Sequence, residues 1–329
     1  MNLTTHPISL ENIRAVVAED LTAVDTVIRL RLASEVVLIN QIAQYIIESG
    51  GKRLRPALVV IAGNHFGAPR AHCHDLAAII EFIHTATLLH DDVVDESDLR
   101  RGRKTANSQF GNAAAVLVGD FLYSRAFQMM VAIGSMKVME VLAEATNIIA
   151  EGEVLQLLNI HDAGTDEQQY LRVVRFKTAK LFEAACRAGA IIGNASAKDE
   201  EAIASYGMHL GTAFQLIDDV LDYSGEIGET GKNVGDDLAE GKPTLPLIHA
   251  LRHGNESERS TIRSAIEHGG HDQMSAVVAA IQSTGALAYT REQAHREARA
   301  AEAAIAHLKD SVYRDALLQL CVFAVERRY

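Results

Sequence analysis

Tryptophan is absent from this sequence, and proline occupies only five of 329 positions. With Ala, Leu, Glu and Arg in bulk, that scarcity favours helices over strands. Alternating apolar–polar runs joined by hairpin residues are also missing, which argues against a sheet. The three cysteines, Cys73, Cys186 and Cys321, are far apart and form no CxxC. This excludes a disulfide framework or a zinc knuckle and fits a reducing compartment. The N-terminal stretch MNLTTHPISLENIRAVVAED lacks a basic segment followed by an apolar run, so no signal peptide is expected. No run of about 18 uncharged apolar residues stands out, so no membrane span is expected either. The expected location is the cytoplasm. Positive charge is short as well: the formal net charge is -12. That speaks against nucleic acid, which needs a basic face. An anionic ligand would need cations other than side chains to help hold it.

What is present is helical. Hydrophobic residues make up 48% of the chain, ample for a packed core. Apolar residues recur three and four apart over 36–49, 76–89, 113–131, 135–158, 170–192, 200–221 and 289–308. Breaks fall at Gly50-Gly51, Gly67-Ala-Pro69 and Asp162-Ala-Gly164, and Thr165-x-x-Gln168 reads as a capping box opening the next helix. No Ser/Gly/Pro-rich linker or low-complexity tract divides the chain. One all-α domain over residues 1–329 is the expectation.

The apolar segment Leu76–Leu89 runs straight into HDDVVDESDLRRGRKTAN, and Asp91-Asp92-x-x-Asp95 returns as Asp218-Asp219-x-x-Asp222. On a helix the first and fifth residues of DDxxD share a face. Exposed, such like charges cost a few tenths of a kcal/mol. In a cleft, two carboxylates about 6 Å apart at an effective dielectric near 20 repel by roughly 3 kcal/mol. A merely solvated acidic helix end has its own defect, because the C-terminal end of a helix disfavours negative charge. Carboxylate-only donors point to hard divalent cations, above all magnesium, which completes its shell with water and phosphate oxygens. Two facing clusters could hold such ions around a diphosphate, with the metal supplying the missing positive charge.

Basic groups should then surround the phosphates. Lys52, Arg53 and Arg55 follow a glycine turn in GGKRLRP; Arg100 and Arg101 follow the first cluster; Lys177-Thr178 lies in RFKTAKLF; Lys232 and Lys242 follow the second cluster. Singly, each reads as a solvated surface group; as a set around two acidic clusters they read as functional. His84 lies seven residues before Asp91 on the same helix face, whereas His90 points elsewhere and reads as structural. His72-Cys73-His74 has no partner pair at zinc spacing. Glu81-x-x-His84 and Glu292-x-x-His295 are both ExxH, so a di-iron helical bundle is a rival class, although the second copy sits in a highly charged segment.

With GGKRLRP, LLHDDVVDESDLRRG, KTAKLF, FQLIDDVLD and GKNVGDDLAEGKPTLPL in one order, the chain from about Leu38 onward resembles the trans-isoprenyl (polyprenyl) diphosphate synthases, most closely their bacterial octaprenyl branch. The resemblance implies an all-α isoprenoid synthase fold around a central cavity and a homodimer. It implies repeated addition of isopentenyl diphosphate to an allylic starter such as farnesyl diphosphate, giving an all-trans product for a quinone side chain. Magnesium, three ions per site, would be held by Asp91, Asp95 and Asp218, with Asp92, Asp219 and Asp222 supporting them. Arg100, Lys177, Thr178, Gln215 and Lys232 match positions that hold the allylic diphosphate. Lys52, Arg55, His84 and Arg101 match those that hold isopentenyl diphosphate. The small residues Thr87 and Ala86, four and five before Asp91, would leave room for a growing tail. Phe127, Met130, Met139 and Leu142 would form a floor that stops growth near eight isoprene units, although Met and Phe at helical spacing are usually plain core.

Overall fold

The computed structural model describes residues 10–48, 52–100, 102–224 and 235–327. The N-terminal helices are α1 (Leu10–Ala15), α2 (Ala18–Leu32), α3 (Val37–Glu48) and α4 (Leu54–His65), followed by the long α5 (Arg70–Val94). In α5 the run Leu76–Ile80, with Phe82 and Ile83, is buried all round. An all-round apolar helix is what a position at the centre of a bundle requires. It packs against α4, α2 and, along most of its length, α7 (Asn112–Ile133). The short α6 (Ala106–Phe110) leads into α7, and α8 (Met136–Asn159) follows.

The expected helix over 170–192 is three pieces: α9 (Glu167–Val173), a π-helical turn (Val174–Ala179) and α10 (Lys180–Ile192). A π turn inserts one extra residue per turn and re-aims the side chains it carries. Here those include Lys177 and Thr178. Next comes α11 (Ala197–Ser224), whose last turns carry the second aspartate cluster. The helices α12 (Asp236–Ala239), α13 (Leu245–His253), α14 (Glu256–His268) and α15 (Met274–Ser283) gather around a smaller apolar cluster containing Leu238, Leu247, Ile262, Ile266 and Ile281. The chain closes with α16 (Ala286–Ala304) and α17 (Val312–Glu326), which pack back on α11 and α4.

The periodicity in the sequence marks these helices well, with three differences. The segment expected to be helical to Leu308 leaves the helix after Ala304. The capping box is shifted by one residue: Asp166 caps and Gln169 reaches back, each bond 2.8 Å. Asp162 is itself engaged in a turn, accepting the Gly164 N–H at 2.8 Å. Among the described residues, strands are confined to a two-residue antiparallel ribbon, β1 (Leu99–Arg100) with β2 (Arg103–Lys104), directly after the first cluster. One helix among the described residues, α7, is long and apolar enough by length and composition to cross a membrane. It carries Asp120 and Arg125 and packs against the core, the pattern that core helices also show.

Candidate active site

Both aspartate clusters end their helices in the same way. The first and fifth carboxylates, Asp91 and Asp95, then Asp218 and Asp222, are half-buried, whereas the second of each set, Asp92 and Asp219, is buried. Helical geometry explains the pattern. Residues i and i+4 share one face, and i+1 is turned about 100° from it, towards the bundle. Asp92 accepts from Arg100 Nε at 2.8 Å and meets Arg100 Nη2 at 2.6 Å, which pins the β1–β2 ribbon to α5. Asp219 accepts the Tyr170 hydroxyl proton on one oxygen and Gln215 Nε2 on the other, at 2.8 Å. Burial pushes both carboxyls above the ordinary range; Arg100 opposes this at Asp92, and Asp237 adds to it at Asp219.

The π-helical turn supplies the next layer. Lys177 Nζ lies 3.5 Å from Asp91 Oδ2, 2.5 Å from Glu153 Oε2 and 2.6 Å from Gln156 Oε1. Thr178 Oγ1 donates to Gln215 Oε1 at 3.2 Å. Two glycines make this possible. A Cβ at Gly152 of α8 would meet the Lys177 amide nitrogen at 2.7 Å, and one at Gly211 of α11 would meet Ala179 Cα at 2.7 Å. Lacking side chains there, α8 and α11 close on the π turn from both sides.

Lys242 ties the segment that follows the second cluster to the first. Its ammonium donates to Asp95 Oδ2 at 2.8 Å and sits 2.5 Å from Glu240 Oε2. Burial disfavours the charged amine, but Asp95 and Glu240 outweigh it and raise its pKa. From the chain's end, Arg327 Nη2 contacts Asp218 Oδ1 at 2.7 Å and donates to the Phe214 carbonyl at 2.6 Å, with the guanidinium 3.7 Å from the Phe214 ring centroid. Among the described residues, no three Asp, Glu, His or Cys side chains converge as a ready-made metal centre. Positive charge near these carboxylates comes from Lys177, Lys242, Arg100 and Arg327.

Two turns before Asp91 on α5, His84 Nε2 lies 3.1 Å from Arg55 Nη1, whose guanidinium stands over the Phe182 ring at 4.5 Å. Lys52 is half-buried just before α4. Arg53 does not join this group: it caps α4 in a left-handed conformation (φ 49°) and pairs with buried Glu81. Glu292 is tied to Arg296 and Arg299 on the surface. The two ExxH segments are therefore occupied separately, which removes the di-iron reading. His90 bonds the Val116 carbonyl at 3.2 Å, as its structural reading requires, and His74 bonds Asp20 at 2.8 Å. Arg101 and Lys232 lie outside the described residues.

The polyprenyl synthetase family model matches residues 36–283. This chain belongs to that family. It is 52% identical over 320 residues to the octaprenyl diphosphate synthase of Escherichia coli (strain K12), covering 97% of this chain and 99% of that protein. Identity to the octaprenyl diphosphate synthase of Haemophilus influenzae (strain ATCC 51907 / DSM 11121 / KW20 / Rd) is 50% over 322 residues, covering 98% of each. A crystal structure of a polyprenyl synthase from Caulobacter crescentus CB15, complexed with calcium and isoprenyl diphosphate, is similar with a TM-score of 0.94 at 44% identity, covering 98% of each chain. The chain is thus a prenyltransferase with the isoprenoid synthase fold, of the family that elongates trans-prenyl diphosphates.

For such a synthase the residues that sequence reading passed over are informative. Glu153, Gln156 and Tyr170 carry no motif, and their positions on α8 and α9 show their partners only after folding. Burial, opposed by Lys177 and reinforced by Asp91, raises the Glu153 carboxyl to about 7. The tail-lining candidates belong to one continuous apolar cluster: Ala86, Met130 and Leu142 are buried in it, with Phe127 and Met139 half-buried against it. Thr87 turns its hydroxyl back to the His84 carbonyl at 2.8 Å, so it presents only its methyl group elsewhere.

Proposed function

We propose that this chain adds isopentenyl diphosphate repeatedly to farnesyl diphosphate and releases all-trans octaprenyl diphosphate for a quinone side chain. The observation that carries the reading is the contact of Lys242, from the loop after the second aspartate cluster, with Asp95 of the first. It brings the segment after the second acidic helix end to the first, whose Asp91 also meets Lys177. The names of the E. coli and H. influenzae relatives support the eight-unit product.

The donor set suits magnesium, three ions in this proposal, with Asp91, Asp95 and Asp218 as ligands and Asp222 beside them. The donors are all carboxylates, and protein cations already favour those positions. Bound there with the allylic diphosphate, magnesium supplies Lewis acidity to the leaving group. The chain's own residues do the rest. Lys177, Thr178, Gln215, Arg100 and Lys232 hold and orient the allylic diphosphate. Asp92 and Asp219 keep Arg100 and Gln215 in place from behind. Lys52, Arg55, Arg101 and His84 hold isopentenyl diphosphate so that its double bond faces the developing allylic cation. The tail extends past Ala86 and Thr87 towards Phe127, Met130, Met139 and Leu142.

The same reading includes a homodimer, which would cover exposed Leu117 and Val131 on α7 and Val154, Leu157 and Leu158 on α8. It also includes a single domain and a cytoplasmic location. The test is product length. Purified chain, magnesium, farnesyl diphosphate and labelled isopentenyl diphosphate are incubated, and the dephosphorylated products are chromatographed. A dominant eight-unit prenol is expected. A geranylgeranyl, heptaprenyl or solanesyl product would overturn the floor assignment but not the reaction, and no extension would overturn the reaction for this chain acting alone.

A further inference from the structure

Among the described residues only three basic side chains are buried: Lys180, Lys242 and Arg327, at 8%, 8% and 6% exposure. Lys180 belongs to an ion-pair group with Glu183 and Glu144, away from the aspartates. The other two both rest on carboxylates assigned above to metal. Lys242 lies 2.8 Å from Asp95 and Arg327 lies 2.7 Å from Asp218. A buried cation needs a partner, and so does a pair of like-charged carboxylates one helical turn apart. Each need is met by the other.

Both cations also have a second acceptor outside the proposed ligand set. Lys242 has Glu240 at 2.5 Å. Arg327 has the Phe214 carbonyl at 2.6 Å and the ring face of the same residue at 3.7 Å. Each therefore keeps a partner when it releases its aspartate: a second carboxylate for Lys242, a carbonyl and a ring face for Arg327. Arg100 differs. Both of its side-chain contacts are to one oxygen of Asp92, a buried carboxylate turned away from the site, so it is held off the proposed metal ligands.

We propose that Lys242 and Arg327 are placeholder cations. In the metal-free protein they hold Asp95 and Asp218 in position, and they are exchanged for metal when a diphosphate arrives. Resting on the diphosphate-synthase reading, the proposal makes binding of the two ligands interdependent. Metal alone must displace two ion pairs. Metal with diphosphate displaces the same pairs but gives the freed ammonium and guanidinium new phosphate oxygens to meet. A coupling of this kind is reciprocal between the two ligands.

The experiment titrates manganese(II), followed by its electron paramagnetic resonance signal, into protein stripped of metal, with and without inorganic diphosphate. Lys242→Met is expected to bind manganese alone more tightly than the parent, on the order of tenfold for one competing buried pair removed, and to lose part of the gain that diphosphate confers. Glu240→Gln, which leaves Lys242 only Asp95, is expected to shift manganese binding the other way. Lys242→Arg keeps the charge and should stay near the parent; thermal denaturation of each variant verifies folding. Weaker or unchanged binding of manganese alone by Lys242→Met, with the parent and Lys242→Arg both normal, overturns the placeholder role. Failure of the parent to bind manganese even with diphosphate overturns the underlying reading instead, and the placeholder role with it.

Discussion

Two groups of charged residues, one around α10 and one around the aspartate clusters, are composed differently. At the α10 end, Lys180 meets Glu183 at 2.8 Å, and Arg187 meets Glu183, Glu200 and Glu201 at 3.2, 3.2 and 2.7 Å. Lys137 of α8 bonds Glu200 as well. Opposite charges there are closely matched, and the group ties α8, α10 and α11 together. At the aspartate end, acids outnumber bases. Burial raises the carboxyls of Asp92, Glu153, Asp219 and Glu240 there, even with Arg100, Lys177 and Lys242 pulling some of them back. A matched group needs nothing further, whereas an excess of buried carboxylate calls for an external cation. The imbalance, more than burial itself, marks the working end of the molecule.

The comparison breaks most sharply at Asp218. Asp218→Asn should lower kcat/KM for isopentenyl diphosphate incorporation by about a thousandfold or more, the scale for losing a group that stabilises transition-state charge. Steady-state assays with labelled substrate check this, and a loss under tenfold would move Asp218 out of the catalytic set. At the matched group the effect should appear in stability instead. Glu200→Ala leaves Arg187 to Glu183 and Glu201 and frees the exposed Lys137, and should cost about 1 kcal/mol in urea denaturation, with turnover per folded molecule close to the parent's. Lost turnover without lost stability would erase the distinction.

Between the two ends stands the glycine contact. Gly211→Val puts a Cβ where Ala179 Cα lies 2.7 Å away and must push α11 off the π turn. The KM for the allylic diphosphate should rise about tenfold as Gln215 separates from Thr178. Gly211→Ala should show the same change in smaller measure, and an unchanged KM in both would mean that the close approach serves packing alone.

The smallest expected effect concerns pH. The folded protein holds the Glu153 proton up to about 7, against 4.5 for the ordinary carboxyl. The folded state therefore binds that proton more tightly than the unfolded chain does. Stability of the metal-free protein should fall as pH rises from about 4.5 to about 7 and level off above. In Glu153→Gln the decline in Tm between about pH 5 and about pH 8 should shrink by roughly 2–4 °C. An identical decline in both proteins would assign the pH dependence to other carboxylates.

Much of this was legible in the residues. The two DDxxD motifs, each after an apolar helix, locate both acidic helix ends, and the seven-residue step from His84 to Asp91 sets both on one face. Less legible were the second carboxylates. Asp92 and Asp219 look equivalent to their neighbours in the sequence, but each turns inward to a partner that no helical spacing predicts: Arg100 across a ribbon for Asp92, and Tyr170 of α9 for Asp219, whose other oxygen takes Gln215 one turn back on its own helix. The π turn at Val174–Ala179 left no mark in the periodicity, since one extra residue within a long helical segment barely alters its apolar pattern.

By itself the sequence determined the helical class, the two carboxylate pairs and the need for outside cations, because these depend on local spacing and on counts of charge. Only the tertiary structure decided which cation meets which carboxylate. Lys242 meets Asp95 from 147 residues away, and Arg327 meets Asp218 from the last described turn of the chain. Such pairings have no local signature. They form because packing buries the cation, and a buried charge is stable only against an opposite one.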